Sequence, residues 1–511
     1  MQLSLSKLWA VNCPGGAYCA AILTPAMPHI GVYRHLGHFR DGGWLLRIAN
    51  ARRPAPGGFH FRQRMGVSSV AADTRTLRMS DGGSVWVGLL ELGSDFVVAL
   101  SRPATGEETP ARILVRLHGA PVGYVEIPLQ PTETLAARAQ TSAENTLAEP
   151  LRRHHEAHSV GNNANSRPEW AAQVACLRNF PVHDGAGVSV IVCTRGRPVA
   201  LAECLQALRR VDYEPLEILV VDNAPTSAAT RDVVEQFALD DPRIRYSCEP
   251  RPGLSNARNH GLAAAKNDLV AFTDDDILVD PNWPAALAAG FAADPQAACV
   301  TGLVASRSLE TRSERYFDSR YSWGEAFHAR RYDLASNRDG SSLYPFKAGI
   351  FGTGANFAVH KTVVDQLGGF DARLGAGGPG RGGEDLDMFV RIILSGKRLC
   401  YVPSALVWHQ HRADDRALAE QVYAYGHGLG AYLAKRLITR EMPVALLVRS
   451  MGQSVVMARQ MRQASRASQL KARGRRLAAS EAWGVLSGAW CFYRVSRRGR
   501  GRLSTGRSLA R

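Results

Sequence analysis

Three consecutive aspartates, Asp274, Asp275 and Asp276, directly follow an apolar run at residues 269–273. Carboxylates that end a buried strand repel one another and are costly to remove from water, so a bound cation would offset both costs. Mg²⁺ and Mn²⁺ prefer carboxylate oxygens and keep coordination positions open for phosphate groups. The run therefore predicts a divalent cation site that suits a nucleotide diphosphate. A solvated loop, or a cap for a helix that begins near Asp280, is the alternative.

The elements around this run alternate between strand and helix. Residues 188–194 (VSVIVCT) and 216–223 (LEILVVDN) are continuous apolar runs, and the stretch between them has helical spacing. Fully apolar strands that alternate with helices indicate a mainly parallel sheet covered on both faces, an open α/β fold. Ligands bind such sheets at the carboxyl ends of the strands. The polar residues at those ends are Thr194, Arg195, Gly196 and Arg197, then Asp222 and Asn223, then the aspartate run.

Two later segments place small or acidic residues beside predicted strands and helices. In FGTGANFAVHK, the glycines Gly352 and Gly354 would let backbone N–H groups approach a sugar or phosphate closely. Tight packing in a turn would equally explain both glycines. Further on, Glu384 and Asp385 begin an amphipathic helix, whose N-terminus stabilises negative charge. The common preference of acidic residues for helix N-termini is the alternative for this pair.

In their order and spacing, these motifs resemble glycosyltransferase family 2, a family of inverting enzymes with a GT-A fold and a DxD signature. The resemblance spans about residues 188–411, and the aspartate run stands in the DxD position. It also rests on RPGLSNARNHGL, which contains Arg258, on FGTGANFAVHK, on the Glu384–Asp385 pair and on the Trp408–His409 pair.

The resemblance implies a site for a cation and an acceptor. Asp274, Asp276 and His409 would hold Mn²⁺ or Mg²⁺, with His411 as a second possibility for the histidine. Asp385 would be the general base that accepts the proton of the acceptor hydroxyl, and Glu384 would orient acceptor hydroxyls. A structural role is the alternative for a lone histidine.

The resemblance also implies a donor site for a UDP-, GDP- or TDP-sugar. The residues expected to bind the donor are Thr194, Arg195, Arg197, Asp222, Asn223, Arg258, Asp274, Asp275, Gly352, Gly354 and Asn356. Arg258 would reach the nucleobase, and the carboxylate of Asp222 can accept a base N–H. A helix cap or Asx-turn for Asp222 and a surface ion pair for Arg258 remain open. The glycine-rich loop 375–383 is expected to close over the substrates as a lid.

The flanks divide the chain into further regions. Short alternating apolar runs predict a small β-rich domain at residues 1–130, of unassigned role, and the polar stretch 131–184 is predicted to be a linker. The GT-A domain is expected at residues 185–415, and a helical, basic tail at residues 416–511.

The tail carries most of the charge of the protein. Residues 441–511 contain 15 Arg and Lys and two Glu, in a chain whose net charge is +16. Trp483 and Trp490 lie among these arginines, which suits the interface of an anionic membrane. A packed helix with a solvated tail is the alternative, and no nucleic acid partner is expected.

The cysteines and the apolar runs of the chain exclude several classes of protein. The nine cysteines are widely spread without a CxxC pair, so neither a disulfide framework nor a zinc cluster is expected. Because the N-terminal apolar stretch is interrupted, and no run reaches the length of a membrane span, we expect a cytoplasmic protein that is either soluble or peripheral on the cytoplasmic membrane face.

The sequence thus predicts the transfer of a sugar from a nucleotide-diphosphate sugar to the hydroxyl of a glycan, lipid-linked or other acceptor, with inversion and with a divalent cation. Such a reaction would serve cell-envelope polysaccharide or glycolipid synthesis. A sugar nucleotidyltransferase, or a noncatalytic scaffold that retains the fold, is the alternative.

Overall fold

The computed structural model describes residues 83–101, 110–129, 134–161, 170–174, 176, 185–321, 323–446 and 471–505, together with four short strands near the N-terminus. These four belong to a separate unit, Met1–Arg47. They form two antiparallel pairs, namely β1 (Val11–Asn12) with β2 (Tyr18–Cys19) and β3 (Leu36–His38) with β4 (Trp44–Leu46). The rest of the predicted β-rich domain before residue 83 lies outside the described residues.

A four-stranded sheet precedes the central domain. Its strands, in the spatial order β6-β5-β7-β8, are β5 (Trp86–Glu91), β6 (Val98–Ala99), β7 (Pro110–Leu117) and β8 (Ala120–Pro128). The segment predicted as a linker contains three helices, α1 (Leu135–Thr146), α2 (Ala148–Gly161) and α3 (Trp170–Val174). The small side chains of Ala136, Ala139 and Ala143 let α1 pack directly on this sheet, which explains why the segment folds.

The central domain is a nine-stranded sheet with helices on both faces. Eight strands follow the order β11-β10-β9-β12-β16-β14-β17-β13, and β15 pairs with β17. The strands are β9 (Val188–Thr194), β10 (Leu216–Asn223), β11 (Ile244–Glu249), β12 (Leu269–Asp274), β13 (Ile277–Val279), β14 (Ala297–Ser306), β15 (Arg330–Tyr332), β16 (Asn356–His360) and β17 (Arg398–His409). The helices are α4 (Pro198–Leu208), α5 (Ala229–Asp240), α6 (Leu254–Ala264), α7 (Trp283–Ala293), α8 (Arg312–Tyr321), α9 (Lys361–Gln366) and α10 (Glu384–Leu394).

The apolar runs belong to four parallel strands that form one half of this sheet. Strands β11, β10, β9 and β12 are mutually parallel, and β16 is antiparallel to its neighbours β12 and β14. Alternate residues of β9 belong to different cores: Val190 and Val192 face one, and Ile191 and Cys193 the other. Because strand side chains alternate between faces, a sheet covered on both sides needs an uninterrupted apolar strand.

Two long helices complete the described chain. Helix α11 (Asp415–Ile438) and helix α12 (Lys471–Thr505) run parallel, since Gly426 lies against Glu481 and Gly430 against Val485. Small residues at these positions, and at Gly484 and Gly488 on α12, allow backbone-to-backbone contact. Within the described ranges, no helix has both the length and the apolar character needed to span a membrane.

A side chain at Gly430 should therefore separate α11 from α12. The Cβ of Gly430→Leu would overlap the carbonyl oxygen of Val485, so we expect the free energy of unfolding to fall by about 1–3 kcal/mol. Gly474→Ala is the matched control, because no atom lies within 4 Å of its added Cβ, and it should stabilise α12 by about 0.5–1 kcal/mol. Urea unfolding of both variants measures the difference, and equal effects would contradict the close packing.

Candidate active site

The aspartate run lies at the carboxyl end of β12, beside the end of β9. Asp274 pairs in register with Cys193, so the loop after β9 reaches the next two carboxylates. Asp275 is fully buried, and its Oδ2 accepts a hydrogen bond from Thr194 Oγ1 at 2.7 Å. Burial raises the pKa of Asp275 to about 6, against the opposing effect of Arg197. Thr194 therefore supports the carboxylate run from within the protein.

Arg197 is the cation that compensates this run in the described structure. Its Nε donates to Asp275 Oδ2 at 3.1 Å, its Nη1 donates to Asp276 Oδ2 at 2.7 Å, and its Nη2 also pairs with Asp275. Arg412 adds a further positive charge, with Nη2 3.6 Å from Asp276 Oδ2. Both guanidinium groups are partly exposed, so they lie where they can also meet an anionic ligand.

Asp276 and His409 face each other across the end of the sheet. Strand β13 pairs with β17, which places His409 opposite Ile277, the residue after Asp276. His409 Nε2 lies 3.5 Å from Asp276 Oδ1, and His409 Nδ1 lies 3.0 Å from His411 Nδ1. Burial would raise the pKa of Asp276, but His409 and Arg197 outweigh it and hold that pKa well below its usual range. A carboxylate and an imidazole at this separation suit a shared Mn²⁺ or Mg²⁺, with phosphate oxygens as further ligands.

His411 supports His409 rather than reaching the site directly. Its Nε2 lies 2.7 Å from Ser306 Oγ, which in turn donates to Asp318 at 2.5 Å. Burial lowers the pKa of His411 well below its usual value, so its imidazole stays neutral. Such a chain of hydrogen bonds fixes the orientation of the His409 ring.

Asp222 is a buried carboxylate with one oxygen that could accept a further hydrogen bond. It ends β10, and its Oδ2 accepts a hydrogen bond from Tyr246 on the neighbouring strand at 3.2 Å. Its Oδ1 is buried and accepts no hydrogen bond from the described residues. Burial raises the pKa of Asp222. Leaving a buried acceptor unpaired is costly, so an N–H group of a bound ligand would stabilise this position.

Arg258 lies deeper than predicted. Its guanidinium donates to Glu384 Oε1 and to the carbonyl oxygen of Gly354, both at 2.8 Å, and lies 3.8 Å from Asp274 Oδ1. Its charge also lies over three aromatic rings, at 5.4–5.8 Å from the centroids of Phe272, Phe357 and Phe370. These contacts engage the guanidinium within the protein, which differs from the expected contact with a nucleobase.

Glu384 and Asp385 begin α10 but occupy different environments. Glu384 is buried against Arg258, and burial raises its pKa to about 7 although Arg258 opposes the shift. Asp385 is half-buried, and its Oδ2 accepts a hydrogen bond from the backbone N–H of Gly354 at 2.8 Å. Asp385 is thus held in place with access to solvent. Glu384 is enclosed, which differs from the expected contact with acceptor hydroxyls.

Some of the remaining predicted residues border the site, and the others support it from within the protein. An added Cβ at Gly354 would lie 3.0 Å from Arg258 and Asp385, which is a tight contact. At Gly352 the φ of 108° and an added Cβ only 2.7 Å from Thr301 Cβ require glycine. Asn356 is fully buried, donates to two backbone carbonyl oxygens and accepts from Trp283 Nε1, which differs from the expected donor contact. Asn223 similarly accepts from the Gly253 N–H and donates to backbone carbonyls.

The loop 375–383 is anchored on both sides. The carbonyl oxygen of Ala376 accepts a hydrogen bond from the Leu254 N–H at 2.8 Å, and that of Gly380 lies 3.0 Å from His427 Nδ1. Gly383 contacts Gly428 of α11. Arg195 is exposed beside Gly377 of this loop. The predicted lid is therefore tied to α6 and α11 in the described structure.

Three supporting residues were not predicted from the sequence. Tyr246 reaches Asp222 only because β11 pairs with β10, and Arg412 reaches Asp276 only because β17 ends beside β13. The motif residues themselves give no indication of Ser306, which orients His411 although the two lie 105 positions apart in sequence. Arg412 follows the Trp408–His409 pair closely, so inspection of that loop for basic residues could have found it.

A mixed α/β sheet with four adjacent parallel strands, whose ends gather carboxylates, a histidine and arginines, defines a nucleotide-binding domain of the GT-A type. The prediction of a mainly parallel sheet is wrong in this detail, since four of the eight strand pairings described for this sheet are antiparallel. Residues 189–362 match the model of the glycosyl transferase family 2. The chain therefore contains a family 2 glycosyltransferase domain, which confirms the resemblance drawn from its motifs.

Two relatives and one solved structure illustrate the match. A pre-mycofactocin glycosyltransferase of Mycobacterium tuberculosis is 29% identical over 259 residues, which cover 51% of this chain and 50% of the relative. A glucosyl-dolichyl phosphate glucuronosyltransferase of Haloferax volcanii is 25% identical over 227 residues, 44% of this chain and 69% of the relative. A mannosyltransferase from Pyrobaculum calidifontis in complex with GDP-Man and Mn²⁺ is 18% identical, with a TM-score of 0.39 over 72% of this chain and 90% of that chain. The chain spans about half the length of the first of these relatives.

Removing the buried charge of Arg258 should destabilise the site in a pH-dependent way. Arg258→Met leaves Glu384 without its partner, and breaking a buried ion pair costs about 3–5 kcal/mol. The raised pKa of Glu384 would rise further, so the variant keeps most of its stability at low pH, where Glu384 is protonated in both states. Between about pH 4.5 and 7 the stability of both proteins should fall in parallel, because the unfolded chain releases the Glu384 proton and neither folded state does. The deficit of the variant should grow as the pH rises above about 7, where Glu384 ionises in the folded parent but not in the folded variant.

Urea unfolding at several pH values, with Glu384→Gln and the double variant, measures this coupling. We expect the double variant to recover much of the lost stability and to lose the added pH dependence. A double variant as unstable as Arg258→Met at pH 8 would show that the two side chains are not coupled.

Proposed function

We propose that this protein transfers a sugar from a nucleotide-diphosphate sugar to an acceptor hydroxyl with inversion at the anomeric carbon. One observation carries the proposal: Asp276 and His409 face each other 3.5 Å apart at the strand ends that also hold the unpaired oxygen of Asp222. A cation site and an acceptor for a base N–H thus occur together at one edge of the sheet. That combination suits a nucleoside diphosphate with its metal ion.

The residues present fit a divalent cation. Asp276 and His409 would hold it, with the half-buried Asp274 as the third candidate ligand. When bound, Mn²⁺ or Mg²⁺ would offset the negative charge of the diphosphate leaving group. With the carboxylates compensated in this way, Arg197 and Arg412 would be available to donate hydrogen bonds to diphosphate oxygens.

Asp385 is the proposed general base. Its Oδ2 is fixed by the Gly354 N–H, and its partial exposure leaves it accessible to an acceptor. As the acceptor oxygen forms its bond to the anomeric carbon, Asp385 takes the hydroxyl proton. The bond from that carbon to the diphosphate breaks, and its electron pair leaves with the nucleoside diphosphate. Attack opposite to the leaving group gives inversion.

Binding of UDP, GDP and TDP with and without Mn²⁺, measured by calorimetry, tests the donor site. We expect one nucleotide to bind in a metal-dependent manner, and Asp276→Ala to abolish the metal dependence. Asp268→Asn is the matched control, since it changes an aspartate at the opposite end of the same strand.

Asp385→Asn should keep nucleotide binding but lower transfer by about 10²–10⁴-fold. Transfer is measured as the release of the nucleoside diphosphate from a nucleotide sugar. The nucleotide sugar used contains the nucleotide that binds in the calorimetric experiment.

Binding without transfer, unchanged in Asp385→Asn, would favour a noncatalytic scaffold. Failure of all three nucleotides to bind with Mn²⁺ would contradict the proposed donor site. Pyrophosphate-dependent cleavage of the nucleotide sugar would instead indicate a nucleotidyltransferase.

We further propose that α12 attaches the protein peripherally to an anionic membrane, at the cytoplasmic face. The residues Trp483, Leu486, Trp490 and Tyr493 follow one another at helical spacing and are exposed, Trp483 by 64% and Trp490 by 61%. The opposite face of the helix, with Leu477, Gly484, Gly488 and Phe492, packs against the protein. We call the four exposed residues the aromatic stripe.

Arginines flank this stripe at both ends. Arg475 and Arg476 lie about two helical turns before it, and Arg494 and Arg497 lie at its end, all exposed. Indole and phenol rings insert at the level of lipid headgroups, and guanidinium groups pair with anionic lipids. A membrane-bound transferase suits a lipid-linked acceptor, a class of substrate that the name of the Haloferax volcanii relative includes.

Sedimentation with phosphatidylglycerol and phosphatidylcholine vesicles tests this attachment. The protein should bind the anionic vesicles, less so at high salt. Removing two charges with Arg494→Gln and Arg497→Gln should weaken binding by more than tenfold, at about 1 kcal/mol per arginine. Trp483→Ser with Trp490→Ser should also release the protein, whereas Leu239→Ser, an exposed apolar residue on α5, should not. Equal binding by all variants would exclude the stripe as the contact.

A further inference from the structure

Two histidines and a cysteine from three distant segments come together outside the proposed active site. The cluster consists of His118, His154 and Cys176, and its imidazole nitrogens and thiol sulfur lie within 4.8 Å of one another. His154 and Cys176 are buried, and His118 is half-buried. We call this group the His-His-Cys cluster.

Each member is held by its own local structure. His118 and Gly119 form the two-residue turn between β7 and β8, with φ values of 54° and 77° that match the tight turn of a hairpin. His154 lies on α2, with its ring centroid 5.5 Å from that of His118. Cys176 lies two residues after α3, with its sulfur 3.9 Å from the carbonyl oxygen of His118.

The donor atoms match the preferences of zinc. Zn²⁺ is bound by imidazole nitrogen and thiolate sulfur at about 2.0–2.3 Å in tetrahedral sites, which places neighbouring ligand atoms about 3–4 Å apart. The spread of the cluster slightly exceeds this distance, so small side-chain rotations would close it. The fourth position would hold a water molecule or His155, whose ring centroid is 6.5 Å from that of His118.

We propose that the His-His-Cys cluster binds one Zn²⁺ ion that fastens the N-terminal sheet and its helices to the central domain. Val174, just before Cys176, is fully buried in the central core, and its carbonyl oxygen accepts a hydrogen bond from Ser404 Oγ of β17 at 3.5 Å. His118 belongs to the four-stranded sheet, and His154 belongs to α2. An ion bound by all three ligands therefore links three segments whose connections each span many residues.

This site is structural and independent of the proposed transfer reaction. Its ligands differ in kind from the carboxylate-rich site at β12, which suits Mn²⁺ or Mg²⁺. The spacing of the ligands, at positions 118, 154 and 176, does not resemble a sequential zinc motif, and so the sequence predicted no zinc cluster.

Metal analysis of the full chain, purified without a histidine tag, gives the first test. We expect one zinc ion per chain that survives dialysis. Replacement with Co²⁺ should give the near-ultraviolet absorption of a thiolate bound to cobalt, which a carboxylate site cannot produce. Asp276→Asn should leave this absorption unchanged.

Cys176→Ser should abolish the thiolate absorption and lower the zinc content well below one per chain. Cys248→Ser, which changes an exposed cysteine on β11, is the matched control and should retain both. A chelator should lower the thermal midpoint of Asp276→Asn but have little effect when Cys176→Ser is added. If Cys176→Ser does not fold, His118→Asn on the turn replaces it.

Two results would overturn the proposal. One is a full chain that holds no stoichiometric zinc and shows no thiolate absorption with Co²⁺, a result that needs no variant. The other is a Cys176→Ser protein with the same zinc content and spectrum as the parent. In either case the cluster is held by hydrogen bonds and packing alone.

Discussion

The buried guanidinium of Arg258 connects the parts of the candidate site that come from distant positions in the chain. A fully buried positive charge must be paired and hydrogen-bonded, and its partners here are Glu384 at the start of α10, the carbonyl of Gly354 and the nearby Asp274. Through Gly354, whose N–H binds Asp385, the same arrangement also positions the proposed base. The end of β12, the loop just before β16 and the first turn of α10 are therefore held together by one charge.

On the opposite side of the site, the carboxylates are compensated mainly by arginines that are partly exposed to solvent. Arg197 and Arg412 approach Asp275 and Asp276 from the solvent side, and His409 approaches from the sheet. The interior side is buried and paired, whereas the outer side is held by partly exposed arginines. This contrast suits a site that accepts a cation and a polyanion from solvent while the acceptor-facing residues stay fixed.

The parts of the fold set by local pattern could be predicted from the sequence, and those set by distant contacts could not. The apolar runs of β9 and β10 and the carboxylates at their ends follow from alternation and strand geometry. The family resemblance assigns Arg258 and Asn356 to the donor site, but hydrogen bonds to partners 49 to 126 positions away in sequence hold both side chains inside the protein. The helices in residues 135–161 were missed because their small alanines acquire a packing role only against the four-stranded sheet.

The glycine contacts of α11 have a geometric consequence. Gly428 contacts the loop that leads into α10, and Gly426 and Gly430 contact the backbone of α12. Backbone-to-backbone contacts leave little room for sliding or tilting, so Asp385 and the aromatic stripe belong to one rigid frame. With the stripe resting on a lipid surface, the reaction centre would then stand at a constant height above the headgroups. If the protein contacts a membrane in this way, only acceptors whose terminal hydroxyl extends to that height could receive a sugar.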